Sequence, residues 1–232
     1  MSTIEERRLV LPGDLVVEGE GYELGANVYR DGVKIYSQVI GLASIVDNKV
    51  SVTALKGVYI PKRGDIVVGI VREVGITRWL IDINSPYQGV LPAVDVIGRK
   101  FSTDKIDLKD YLKVGDVIVA RVVSFDRTTD AILTVDGKGL GRVDNGRLEY
   151  ITPTKIPRLI GKKGSMINLI KKESGCNITI GKNGVILIEG PSRELEELVA
   201  ELVKKIDREA HVPGLTDRVA EILRSSMKGG QV

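Results

Sequence analysis

The sequence predicts a multidomain chain: an all-β N-terminal domain, a five-stranded barrel, and an α/β C-terminal domain with a trailing helix. Three observations predict it. The first part is valine-rich, alternates apolar with polar residues, and is broken by glycines. The middle holds five strand-like runs with one long polar connection between the third and fourth. After about residue 150 strand-like and helix-like stretches alternate, and the last long stretch has helical period. The expected boundaries are 1–60, 61–137 and 145–232.

Composition sets limits. A chain of 232 residues has room for two or three small domains. At 43% hydrophobic but only 4% aromatic, its cores are aliphatic. No run of about 18 apolar residues is present, so no membrane span and no membrane partner is expected. The N-terminus carries acids and lacks the apolar segment of a signal peptide. Cys176 is the only cysteine, which excludes an intrachain disulfide and suits a reducing cytoplasm. The net charge of +3 decides little; its distribution decides more.

In the N-terminal domain, "LVLPGDLVVEGEG" is a valine-rich strand region. "NVYRDGVKIYSQVIG" is a hairpin, with Asp31-Gly32 as its two-residue turn, and "KVSVTAL" is a further strand. In the middle domain, strands are expected at 65–74, 78–83 and 88–91, then a polar connection over 93–113. "VGDVIVARVVSFDRTTDAILTVDG" supplies two more strands around a turn near Asp126. That is the layout of an OB-type barrel. The glycine-rich "DGKGLGRVDNG" marks an interdomain joint.

In the last domain "EYITPT" is a short strand and "KIPRLIG" a short helix, since Pro157 can sit in a first turn. A second helix runs from Ser165 to Ser174, with Gly175 placed to end it. "CNITIGKNGVILIEG" is a hairpin. The helix over 191–209 carries Leu195, Leu198, Val199, Leu202, Val203 and Ile206 on one stripe. A last helix is expected over 216–226, with fraying beyond it.

Between the two short helices lies Gly161-Lys162-Lys163-Gly164. The order strand, helix, GKKG, helix, strand, strand, helix resembles a type I KH domain. Glycines at both ends of the turn let a sugar-phosphate backbone approach. The following helix presents free N–H groups and a positive dipole end. Lys162 and Lys163 add charge, and Ile160 and Ile167 are the expected apolar flank on which bases rest. KH domains clamp about four nucleotides of single strand in this way. The flanking basic residues Lys155, Arg158, Lys171 and Lys172 have no acid among them, while the long helix carries Glu194, Glu196, Glu197 and Glu201. A second pair of glycines bounds Gly181-Lys182-Asn183-Gly184, which local chemistry reads as a hairpin turn only.

Residues 64–135 resemble an S1 domain, through "GDIVVGIVREV", "RWLIDI", "GVLP" and "VGDVIVARVVSFD". The resemblance implies stacking aromatics at the positions held here by Leu80 and Pro92, so both groups are missing. Trp79 and Tyr87 are nearby substitutes, or Trp79 caps a core; the sequence leaves both open. Arg72, Arg78, Arg99, Lys100, Arg121 and Arg127 offer charge that can track phosphates.

The three parts together resemble the archaeal exosome RNA-binding cap subunit. Its supporting strings are "LPGD", "SPYQGVLP", "IPRLIGKKGSM", "GKNG" and "HVPGLTDRVAE". The resemblance implies a non-catalytic role. Three such cap subunits sit on a hexameric ring of RNase PH-type exosome subunits and feed the 3′ ends of single-stranded RNA towards it. The N-terminal domain contacts the ring, S1 lines the entrance, and the GxNG signature (Gly181, Lys182, Asn183, Gly184) packs KH against S1.

No site for catalysis, metal or cofactor stands out. His211 is the sole histidine, which excludes two-histidine acid–base pairs and most zinc centres. Cys176 opens an apolar strand and reads as buried. Two other classes remain open: a NusA-like transcription factor binding nascent RNA and RNA polymerase, and a cryptic metal-dependent ribonuclease.

Overall fold

The computed structural model describes residues 8–55, 57–98, 107–210, 212 and 214–229, with side chains of the last helix described to Ser225. The chain divides into two compact units, Met1–Gly57 and Val58–Val232.

The first unit contains β1 (Arg8–Val10), β2 (Leu15–Glu18), β3 (Glu23–Leu24), β4 (Val28–Asp31), β5 (Lys34–Ser37), β6 (Gly41–Val46) and β7 (Lys49–Ala54). They form two sheets, β1-β6-β7-β3 and β2-β5-β4. Val10, Val28, Ile35, Ala43, Val50 and Val52 make its core. Asp31 pairs with Lys34, so the first hairpin turns on Gly32 and Val33 rather than on Asp31-Gly32. The glycine still supplies the left-handed residue, at φ 59°. The β6–β7 hairpin turns on Asp47 and Asn48, at φ 47° and 63°. Short polar residues tolerate this conformation, which matches the twist of the flanking strands.

The second unit opens with a barrel. Its strands are β8 (Ile66–Val74), β9 (Arg78–Asp82), β10 (Gly89–Pro92), β11 (Val117–Ser124) and β12 (Ala131–Thr134). A short helix α1 (Ala93–Ile97) follows β10. The strand order is β12-β10-β9-β8-β11, and pairing of β12 with β11 closes the ring. Bulges at Val71/Glu73 and Val122/Ser124 bend the two long strands. Tyr59, ahead of the expected boundary, belongs to the barrel core, and its hydroxyl donates to Asp65 at 2.8 Å. The glycine-rich joint forms β13 (Gly141–Val143), a sixth strand paired with the first half of β11.

The last part comprises β14 (Arg147–Tyr150), α2 (Ile156–Ile160), α3 (Ser165–Ser174), β15 (Asn177–Ile180), β16 (Val185–Glu189), α4 (Arg193–Arg208) and α5 (Leu215–Gly229). The antiparallel sheet β14-β16-β15 is covered by the helices. On α4, Val199, Leu202, Val203 and Ile206 are buried as the stripe requires, while Leu195 and Leu198 are half-buried at its edge. Ser192 caps this helix by accepting from Leu195 N. Leu215, Val219 and Leu223 of α5 are fully buried in the same core. A separate apolar cluster joins the barrel to this domain: Val68 and Val119 pack with Val185 and Leu187.

Candidate nucleic-acid interface

The Gly161–Lys163 backbone and the start of α3 make a tight exposed turn. Gly161 has φ 74° and Gly164 φ 81°. A Cβ on Gly161 would lie 2.8 Å from Met166 N, so only glycine fits. Lys163 itself is left-handed, at φ 51°. Both lysines are exposed. No side chain caps α3; the Ser165 N–H is taken by Lys162 O, and the positive end of the helix dipole faces the turn.

Beside the turn lies a groove of about 270 Å³, lined by Pro153, Ile156, Pro157, Ile160, Gly161 and Lys182. Ile160 is half-buried on its wall. Ile167 is not: it is 8% exposed and belongs to the core under α3. The prolines replace it as apolar wall; Pro157 is exposed, and its place in a first turn was the one signal for it in the sequence.

Two of the expected cations are engaged elsewhere. Arg158 donates through Nη2 to Val212 O at 3.1 Å, tying α2 to the chain before α5. Lys155 stands 3.3 Å from an Asp207 oxygen and donates to Asp207 O at 2.5 Å. Burial pushes the Asp207 carboxyl up, but hydrogen bonds from Thr152 and Lys155 outweigh it and hold it below the usual range. Lys162, Lys163 and Lys172 remain exposed, and Lys171 is half-buried.

The barrel arginines do not form one track. Arg121 pairs with Ile66 at the start of β8, with Arg127 in the loop after β11. Arg78 opens β9 opposite the other end of β8. Eight residues of strand put roughly 25 Å between Arg121 and Arg78. Arg72 donates through Nη2 to Asp82 at 2.6 Å. Partial burial raises the Asp82 carboxyl, yet bonds from Arg72 and Asn84 leave it below its ordinary value. Trp79 is fully buried and donates to Leu112 O at 3.0 Å, so it cannot stack on bases. Tyr87 is half-buried, edge-on to Phe125 at 4.8 Å. Arg99, Lys100 and His211 lie outside the described residues.

The second glycine loop faces the barrel. Asn183 is fully buried; it donates to Val68 O at 2.7 Å and Ile83 O at 2.9 Å, and accepts from Val68 N at 3.3 Å. Lys182 N donates to Ile66 O at 2.8 Å. A Cβ on Gly181 would lie 2.2 Å from Asn183 Oδ1 and 3.0 Å from Val68 N. Gly184 takes φ 80° and accepts from Ile151 N. Asn84, whose amide donates to Asn183 O at 2.8 Å, is a partner that sequence reasoning missed. Its only signal was a turn-forming Asn-Ser-Pro.

Among the described residues, no group of three or more His, Cys, Asp or Glu comes together to hold a metal ion. Cys176 is buried. No described helix is long and apolar enough to cross a membrane.

Comparison with known proteins places these parts. Residues 7–56 match the exosome RNA binding protein RRP4 N-terminal domain, 58–124 the RRP4 S1 domain, and 147–204 the KH domain. The chain is 44% identical over 223 residues to the exosome complex component Rrp4 of Methanothermobacter thermautotrophicus, covering 96% of this chain and 70% of that one. It is 41% identical to that of Saccharolobus solfataricus, covering 97% and 90%. A crystal structure described as a putative exosome complex RNA-binding protein is 42% identical, with TM-score 0.71, covering 74% of this chain and 98% of that one. With the RRP4 N-terminal, RRP4 S1 and KH domains matched along it and this identity over nearly its whole length, the chain belongs to the Rrp4 family of exosome RNA-binding components.

Proposed function

We propose that this chain is a non-catalytic cap subunit of a cytoplasmic exosome. It binds single-stranded RNA and guides the 3′ end into a hexameric ring of RNase PH-type subunits, three caps to a ring. The N-terminal unit contacts the ring, and the S1 and KH domains hold the RNA. The observation that carries the RNA-binding part is the exposed GKKG turn at the uncapped start of α3, beside an apolar groove. Donors and cations meet phosphate there, and the groove takes bases. Membership in the Rrp4 family supports the exosome part.

The test has two arms. Purified protein, freed of contaminating nucleases, should bind labelled RNA without shortening it in Mg²⁺ and phosphate. Tagged protein should co-purify with RNase PH-type subunits. Cleavage that survives repurification would overturn the non-catalytic reading. Recovery of RNA polymerase in place of a ring would favour the NusA-like alternative.

A further inference from the structure

We propose that Lys182 is an RNA-contacting residue of the KH groove, held in place by the docking of its own loop on the S1 barrel. This rests on the reading of the chain as a binder of single-stranded RNA. The loop divides its residues between two tasks. Asn183 is buried against Val68 and Ile83. Gly181 is packed so closely that a Cβ would meet Val68 N at 3.0 Å. The Lys182 backbone N–H is bonded to Ile66 O. The main chain around Lys182 is thus anchored on barrel strand β8. Yet Lys182 is exposed and lines the groove that Ile160 and Gly161 line from the α2 side. Among the described residues it has no carboxylate within ion-pair distance.

A strand lying in this groove has Lys162 and Lys163 at the GKKG turn and Lys182 on the other wall. An undocked loop would have to be ordered when RNA binds. Docking on S1 meets that cost beforehand, so S1 presets the second wall of the KH site. Loosening the dock therefore weakens KH binding without removing any groove cation.

The experiment uses the full chain and a short fluorescein-labelled single-stranded RNA, with affinity measured across a salt series. Lys182→Ala should bind several-fold more weakly. Its log–log salt slope should be shallower by about 0.7, one phosphate contact on a single strand. Its unfolding temperature should equal the parent's, because only the backbone of Lys182 serves the dock. Asn183→Ala should weaken binding while keeping the parent's salt slope. If Lys182→Ala binds like the parent while Lys162→Ala/Lys163→Ala is weakened, the inference is overturned and the RNA-binding reading stands. If Lys182→Ala loses affinity and unfolding temperature together, the lysine is a docking residue and the inference also fails. A parent chain that does not bind the RNA overturns the reading beneath it.

Discussion

Two loops of this molecule have nearly the same sequence, Gly-Lys-Lys-Gly at 161–164 and Gly-Lys-Asn-Gly at 181–184, and opposite fates. In the first, the third residue is an exposed lysine in a left-handed conformation. In the second it is an asparagine with no exposed surface and three hydrogen bonds to barrel backbone. The difference follows from side-chain chemistry. An amide both donates and accepts, so it satisfies one N–H and two C=O groups. An ammonium only donates, and burying it without a counter-charge costs several kcal/mol. An asparagine at the third position lets the second turn join two domains where the barrel backbone lies against it.

The comparison breaks most sharply if the second loop is made a copy of the first. Asn183→Lys buries an unpaired charge and strands three backbone groups. It should cost roughly 3–5 kcal/mol of S1–KH docking, seen as early loss of KH structure in calorimetry. Gly181→Val attacks the same dock by volume. Its Cβ clash with Asn183 and Val68 should cost about 2–3 kcal/mol, checked by faster proteolysis in the 137–146 connection. If either variant keeps the parent's thermal transition, the second loop is only a turn.

The first loop is tested by affinity. Lys162→Asp/Lys163→Asp should weaken RNA binding at least tenfold for all sequences alike. The salt slope should be shallower by about 1.4, at about 0.7 for each lysine. Its unfolding transition should not move. Unchanged affinity would move RNA binding to the barrel.

Lys155 sharpens the contrast, as a basic residue of the same stretch that is paired. Asp207→Asn should lower stability by about 1 kcal/mol at neutral pH and leave the RNA salt slope unaltered. Because the Asp207 carboxyl is held below its ordinary value, its contribution is fully present above the unfolded value near 3.9. It is lost as pH falls through the lower folded value. Urea melts down to acid pH should show the variant and parent converging there.

The smallest effect is the reciprocal exchange. Lys163→Asn spells the second loop at the first position, where no barrel waits. Asparagine accepts left-handed φ more readily than lysine, so stability should change by no more than about 0.5 kcal/mol. The salt slope should become shallower by about 0.7.

Much of this was legible in the chain. Alternation and turn chemistry placed the barrel strands and, to within one residue at its turn, the first hairpin, and helical period placed the stripe on α4, because each depends on neighbours within a few residues. Ala200, buried beside that stripe, lay outside the pattern. The GKKG turn was legible for the same local reason: its glycines, its lysines and the start of α3 are consecutive.

What only the tertiary structure decided was which of these side chains are free. By local chemistry Asn183 reads as a turn residue, and only the family resemblance pointed to the S1 barrel; its partners Val68 and Ile83 arrive from 115 and 100 positions away. Arg158 reads as an RNA contact until Val212, 54 positions on, accepts a hydrogen bond from its Nη2. Trp79 reads equally as platform or core until Leu112 accepts its N–H. The sequence by itself determined the succession of strands and helices and the glycine turns, since local propensity and periodicity act along the chain. The occupied or open state of each polar group was decided by partners across the fold. A charged or amide side chain takes whatever donor or acceptor the packed chain brings to it, and no local pattern encodes that partner.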